Sequence, residues 1–149
     1  MNIFIYLSKI SFCSLLFWGN QTQAFPDDEL SLKKGAFLVE QEKSIVQAAR
    51  QDLDDSGIVP DSRTSLFVMQ IESQLFKLAQ TFESALGSLG EPVHQSYKTR
   101  VCTETSHLIA TSRAMVRVLK NAHQPTINLE DFQYFIEEFG QIQKDLRCL

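Results

Sequence analysis

Two cysteines placed symmetrically about a proline constrain the fold of this chain more than any other feature. Pro125 lies 23 residues from Cys102 and 23 residues from Cys148, and a helix-like pattern occupies each side. In an antiparallel pair of helices both chains rise by about 1.5 Å per residue, so equal distances from the turn bring the two sulfurs to the same height. A disulfide needs that closeness. The spacing therefore predicts a helical hairpin closed by a Cys102–Cys148 bond.

The four prolines divide the chain into four helical segments. Proline costs about 3 kcal/mol inside a helix, and all four prolines stand at the start of a segment or between segments. The predicted segments cover residues 27–53, 61–90, 93–122 and 129–149. No stretch alternates with the period of two that indicates a strand. The pattern is typical of an all-α, up-down-up-down four-helix bundle with one disulfide between helix 3 and helix 4.

Each segment carries an apolar face at helical spacing. Segments two and four have unbroken seams at spacings of three and four: Val68, Ile71, Leu75, Leu78, Phe82, Ala85 and Leu89, then Phe132, Phe135, Phe139, Ile142, Leu146 and Leu149. The main face of segment three is Tyr97, Val101, Leu108, Met115 and Leu119. In segment one the expected face, with one polar interruption, is Phe37, Leu38, Gln41, Ile45, Ala48, Ala49 and Leu53.

The first 24 residues are predicted to be a cleaved signal peptide and not part of the fold. Residues 10–18 form an apolar run too short for a bilayer, which takes about 20 residues, and Thr22 and Ala24 supply the small residues of a cleavage site. An uncleaved anchor is the alternative interpretation, since apolar residues also precede Lys9. We expect an extracytoplasmic protein, periplasmic or secreted, with residues 25–149 as a single domain and no membrane span after cleavage.

The charge balance of residues 25–149 limits the class of partner. Lys9 is the only charged side chain before residue 25, so the remainder carries 13 basic and 18 acidic residues and a formal charge of −5. A mildly acidic domain is a poor candidate for binding nucleic acid or an anionic membrane surface. Two cysteines remain in that domain, and in an exported chain such a pair favours a structural disulfide over free thiols.

The Glu104-Thr-Ser-His107 stretch is the only candidate metal motif. Glu-x-x-His is the spacing by which di-iron carboxylate bundles hold metals, but those sites need two copies and further inward glutamates. The sequence has one copy, so Glu104 and His107 are weak candidates, and a pair that is solvated or at the edge of the seam is the favoured interpretation. Haem attachment lacks its Cys-x-x-Cys-His motif, and Met115 on a seam is more typical of packing. We expect no catalytic residue, no metal and no cofactor, and therefore not an enzyme.

Two polar groups of segment three have alternative interpretations. One group holds five hydroxyls that either face solvent or line a cavity for a small ligand: Thr103, Thr105, Ser106, Thr111 and Ser112. The other holds Arg113, Arg117 and Lys120 at helical spacing. These cations either form a solvated face, paired with acids of helix 4 or helix 1, or a docking strip for an acidic partner.

Function is less constrained than fold. The leading hypothesis is an exported, non-enzymatic bundle that binds another protein, as an adaptor, a secretion accessory or an inhibitor does. Phe67 and Phe76 lie outside the seam of segment two and leave it surplus apolar surface, so helix 2 is a candidate interface for that partner or for a homodimer. The alternative hypothesis is a periplasmic carrier of a small ligand, metal or haem in the bundle core.

Overall fold

The computed structural model describes residues 26–57, 63–122 and 128–148. These ranges form four helices and no strand: α1 (Pro26–Asp55), α2 (Arg63–Gly87), α3 (His94–Ala122) and α4 (Leu129–Asp145). The predicted signal peptide and the predicted turn at Pro125 lie outside the described residues, and both stay predictions.

The four helices form the expected up-down-up-down bundle. α1 packs against α2 and α4, and α3 packs against the same two helices, so α1 and α3 stand diagonally opposite. Contacts along each pair of consecutive helices run in opposite chain directions, as the antiparallel arrangement requires. Along α1 and α2, Gly35 lies against Phe82 and Arg50 pairs with Glu72. Along α2 and α3, Thr81 bonds to Glu104 and Gln74 bonds to Thr111. Along α3 and the end of α4, Cys102 is bonded to Cys148 and Ser106 bonds to Gln143.

The helix ends follow local chemistry. The Asn128 side chain caps α4 by accepting a hydrogen bond from the backbone N–H of Glu130 at 3.1 Å, which satisfies one of the donors left open in a first turn. Past the end of α1, Gly57 has a φ of +71°, a left-handed conformation that glycine adopts without a steric penalty. That helix therefore stops where the sequence predicted.

The predicted seams of α2 and α4 form much of the core. The α2 seam from Val68 to Ala85 is buried throughout, and so are the α4 seam residues from Phe132 to Leu146. Of the α3 face, Val101, Leu108, Met115 and Leu119 are buried as well. The last residue of the α4 seam lies outside the described ranges.

The buried face of α1 agrees with the predicted one only in part. Leu38, Ala49 and Leu53 are buried as predicted, whereas Phe37 is 63% exposed and Gln41 and Ala48 are exposed too. The seam that faces the core, also at spacings of three and four, is Leu32, Gly35, Val39, Glu42, Val46, Ala49 and Leu53. The prediction missed the first five of these because a glycine and a glutamate occupy two of the positions.

The disulfide joins α3 to the segment just after α4. Cys102 and Cys148 are bonded with a Cα–Cα distance of 5.5 Å, which confirms the pairing. Helix 4 ends at Asp145 and not at residue 149, because Arg147 has a left-handed φ of 55° and takes the chain out of the helix. Gln143 donates from Nε2 to the Cys102 carbonyl at 3.1 Å and thereby ties the same two elements together.

Candidate functional site

Three cations of α3 lie together along a groove between α3 and α4. Arg113, Arg117 and Lys120 follow i, i+4, i+7 spacing, which places residues on one face of a helix, and all three are exposed. They line a groove of about 470 Å³, together with Val116 of the same helix and with Gln133, Ile136 and Glu137 of α4. The strip that the sequence predicted is therefore one wall of a groove.

The floor of this groove is apolar. Val116 is 7% exposed, and Ile136 is half-buried and packs against the core. Arginine and lysine carry long aliphatic stems below their charged groups, so an apolar base lies beneath a cationic rim. Such a surface suits a ligand that has both negative charge and an apolar group.

The three groove cations have no partner within the described part of the chain. None of them takes part in an ion pair or a hydrogen bond there. The acids of α4 do not neutralise them, because Glu138 pairs with Lys34 of α1 at 2.7 Å and Glu137 lines the groove without an ion pair. The groove thus carries three positive charges and one negative charge on an otherwise acidic protein.

Glu104 and His107 do not come together as a site. Glu104 is buried and accepts hydrogen bonds from Thr81 Oγ1 at 2.6 Å and from Arg100 Nε at 2.9 Å, and Lys77 Nζ lies 3.6 Å from it. His107 is exposed. Both carboxylate oxygens therefore bind protein donors that link α2 to α3. Among the described residues no group of three potential metal ligands is found.

The hydroxyls of α3 fall into two classes. Thr103 and Ser106 are exposed and donate to helix carbonyls four residues earlier. Thr111 does the same and also accepts a hydrogen bond from Gln74 Nε2 at 3.0 Å. Thr105 and Ser112 are buried, and their hydroxyls find no hydrogen-bond partner among the described residues. Of the five predicted α3 hydroxyls, those of Thr105 and Ser112 are the two without a partner in the described part of the chain.

Glu42 is a buried carboxylic acid that the sequence interpretation missed. Its side chain is fully buried, and neither carboxylate oxygen has a hydrogen-bond partner among the described residues. Burial disfavours the charged form and raises the pKa of Glu42 from 4.5 to about 8. The signal was present in the sequence, since Glu42 stands between Val39 and Val46 at seam spacing.

The two phenylalanines predicted as an interface on helix 2 have different surroundings. Phe76 is 62% exposed, whereas Phe67 is half-buried and packs against the core. Leu66 and Met69, which were not singled out, are exposed on α2 as well. The apolar outer surface of α2 is thus centred on Phe76, Met69 and Leu66.

No protein-family model, curated protein or solved structure matches this chain. No helix in the described ranges is long and apolar enough to cross a membrane. The disulfide is compatible with an extracytoplasmic location.

Proposed function

We propose that this protein is an exported, non-enzymatic bundle that binds another protein, and that an acidic segment of the partner lies in the α3–α4 groove. Export is supported by the apolar run at residues 10–18 and by the disulfide. The proposed absence of catalysis rests on the separation of the ionisable groups. Glu104 is held by neighbouring donors, while Glu42 has no hydrogen-bond partner in the described ranges, and so no nucleophile or base bonded to it there.

One observation carries the proposal: three cations line a single groove and have no ion-pair partner among the residues that the structure describes. From Arg113 to Lys120 the helix rises by about 10 Å, so the cations match carboxylates spaced over two turns of a partner helix. Guanidinium groups bind carboxylates through paired hydrogen bonds. Val116 and Ile136 provide the apolar floor for one apolar side chain of that segment. The partner is therefore an acidic, amphipathic helical segment.

The test uses a defined peptide. A synthetic amphipathic helix carries glutamates at i, i+4 and i+7 around one leucine, and a second peptide has glutamine at the same positions. Fluorescence anisotropy measures their affinity for the oxidised protein at several salt concentrations. We expect the acidic peptide to bind, the glutamine peptide to bind more weakly, and the difference to shrink as salt screens the charges.

Two charge-matched triple variants locate the binding. Changing Arg113, Arg117 and Lys120 to glutamine should weaken binding of the acidic peptide by about tenfold or more, since each exposed ion pair contributes up to about 1 kcal/mol. The control changes Lys33, Arg63 and Lys144 to glutamine, which removes the same charge outside the groove. Equal losses in both variants would contradict the proposal. Tighter binding of inorganic polyphosphate than of the peptide would also overturn it, because the groove would then select a non-protein polyanion.

A further inference from the structure

Glu42 lies in the middle of α1 on the seam that faces the core. The residues before and after it on that seam, Val39 and Val46, are fully buried, and so is the glutamate itself. Both of its oxygens lack a hydrogen-bond partner among the described residues. A carboxylate that is buried without hydrogen bonds loses its hydration and has no interaction that compensates for the loss, so the neutral acid is the favoured form.

Among the described residues, no cation of the neighbouring helices forms an ion pair with Glu42. The ion pairs that involve a charged group of α2, α3 or α4 all join other residues. These pairs are Glu72 with Arg50, Lys77 and Arg100 with Glu104, Lys98 with Asp28, and Glu138 with Lys34. The one cause of its altered acidity is burial. The protonation of Glu42 is therefore set by the packing of the bundle and not by an ion pair.

A neutral hydroxyl lies at the same height on the diagonal helix. Lys98 of α3 bonds Asp28 of α1 at 2.7 Å, across 70 residues of sequence. Ser112 follows Glu42 by the same 70 residues, and each of the two lies 14 residues after its counterpart in the Asp28–Lys98 pair. Because α1 and α3 run parallel, Glu42 and Ser112 are therefore at the same level of the bundle. Since both side chains are buried, both are on core-facing sides. The Ser112 hydroxyl has no partner within the described ranges either, in contrast to the α3 hydroxyls that bond back to the helix.

We propose that Glu42 is a proton-binding site in the core, and that loss of its proton loosens the packing of α1 against the rest of the bundle. The inference is independent of the α3–α4 groove. A buried neutral acid packs as a polar but uncharged side chain. The carboxylate must regain water, and it can do so only if α1 moves away from its neighbours.

The direction of the pH effect follows from the two states. Below pH 4.5 Glu42 is protonated in the folded and the unfolded chain, so it makes no pH-dependent contribution. Burial raises the pKa of Glu42 in the folded chain from 4.5 to about 8. Between these two pH values only the folded chain keeps the proton, so each rise of one pH unit increases the unfolding equilibrium constant about tenfold. Above about 8 both states are ionised and the folded state is weakest. Stability from this group is thus lost as the pH rises.

Urea unfolding at pH 5 and pH 8 tests the proposal. Relative to Glu42→Gln, which cannot ionise, the unfolding equilibrium constant of the natural chain should grow by on the order of a few hundredfold between the two pH values. The control Glu40→Gln makes the same change at an exposed position of α1 and should follow the natural chain. A ratio between the natural chain and Glu42→Gln that does not change with pH would overturn the proposal.

A second measurement needs no variant. Carbon-13 labelling of the glutamate carboxyl groups lets NMR follow each titration in the natural protein. One carboxyl signal, that of Glu42, should titrate near pH 8. If every glutamate titrates below about pH 6, Glu42 is not a proton-binding site, whatever the behaviour of the glutamine variant.

Discussion

At the scale of single residues, two buried threonines differ only in whether their hydroxyls are satisfied. Thr81 donates to Glu104 at 2.6 Å, whereas Thr105 Oγ1 has no partner among the described residues. Both side chains are almost completely buried. Because valine has the same shape as threonine without the hydroxyl, the same substitution at both positions isolates the contribution of that group.

The two substitutions should have opposite effects on stability. Thr105→Val should stabilise the fold by about 1 kcal/mol, because it removes an unsatisfied buried hydroxyl. Thr81→Val should destabilise it by about 2 kcal/mol, because a buried carboxylate loses a donor. Urea unfolding at neutral pH measures both free energies. A loss of equal size at both positions would show that the Thr105 hydroxyl is bonded in solution.

At the scale of single helices, two glycines within α1 and α4 have opposite surroundings. A Cβ on Gly35 would overlap the ring of Phe82, whereas a Cβ on Gly140 would meet nothing within 4 Å. The phenylalanine of α2 therefore occupies the place of the missing α1 side chain. This close approach explains why a glycine stands in the seam of a long helix.

Alanine substitutions at the two glycines should separate packing from helix propensity. Gly140→Ala should stabilise the protein by about 0.5–1 kcal/mol, since alanine restricts the unfolded chain and fits the helix. Gly35→Ala should destabilise it by about 1–3 kcal/mol, because the core is overpacked at Phe82. Thermal unfolding of the two variants measures the difference. Stabilisation by Gly35→Ala would contradict the α1–α2 packing.

Helix seams were predictable where every seam position is apolar. The seams of α2 and α4 met that condition, and their spacing predicted the buried face. On α1 the seam includes Gly35 and Glu42, so the prediction replaced part of it with Phe37 and Ala48, which are exposed. A seam traced along α1 by spacings of three and four residues, with polar residues allowed, includes Glu42.

Of the two walls of the groove, only the α3 wall could be predicted from the sequence. The spacing of Arg113, Arg117 and Lys120 places them on one face whatever the tertiary structure. The second wall depends on which side of α4 faces α3, and the unpaired state of the cations depends on Glu138 binding Lys34 of α1. Both depend on the relative rotation of packed helices, which single-helix patterns do not determine.

At the scale of the whole molecule, the disulfide fixes the end of the bundle to α3. It joins residues 46 positions apart. Cross-linking a loop of that length lowers the entropy of the unfolded chain and thereby raises its free energy by about 4 kcal/mol at room temperature. The Cys102→Ala/Cys148→Ala variant should lose stability of that order in urea. Mass spectrometry after alkylation without reductant should find no modified thiol at either position. Two alkylated thiols would contradict the bond.

We propose that an acidic segment of another protein binds between α3 and α4, and chemical-shift mapping would locate such a segment on the protein. Backbone NMR spectra of the labelled protein are compared with and without the acidic amphipathic peptide. We expect the largest shifts at Arg113, Val116, Arg117, Lys120 and Ile136, while Met69 and Phe76 on the outer surface of α2 stay unchanged. Saturable shifts centred on α2, with none in the groove, would contradict it.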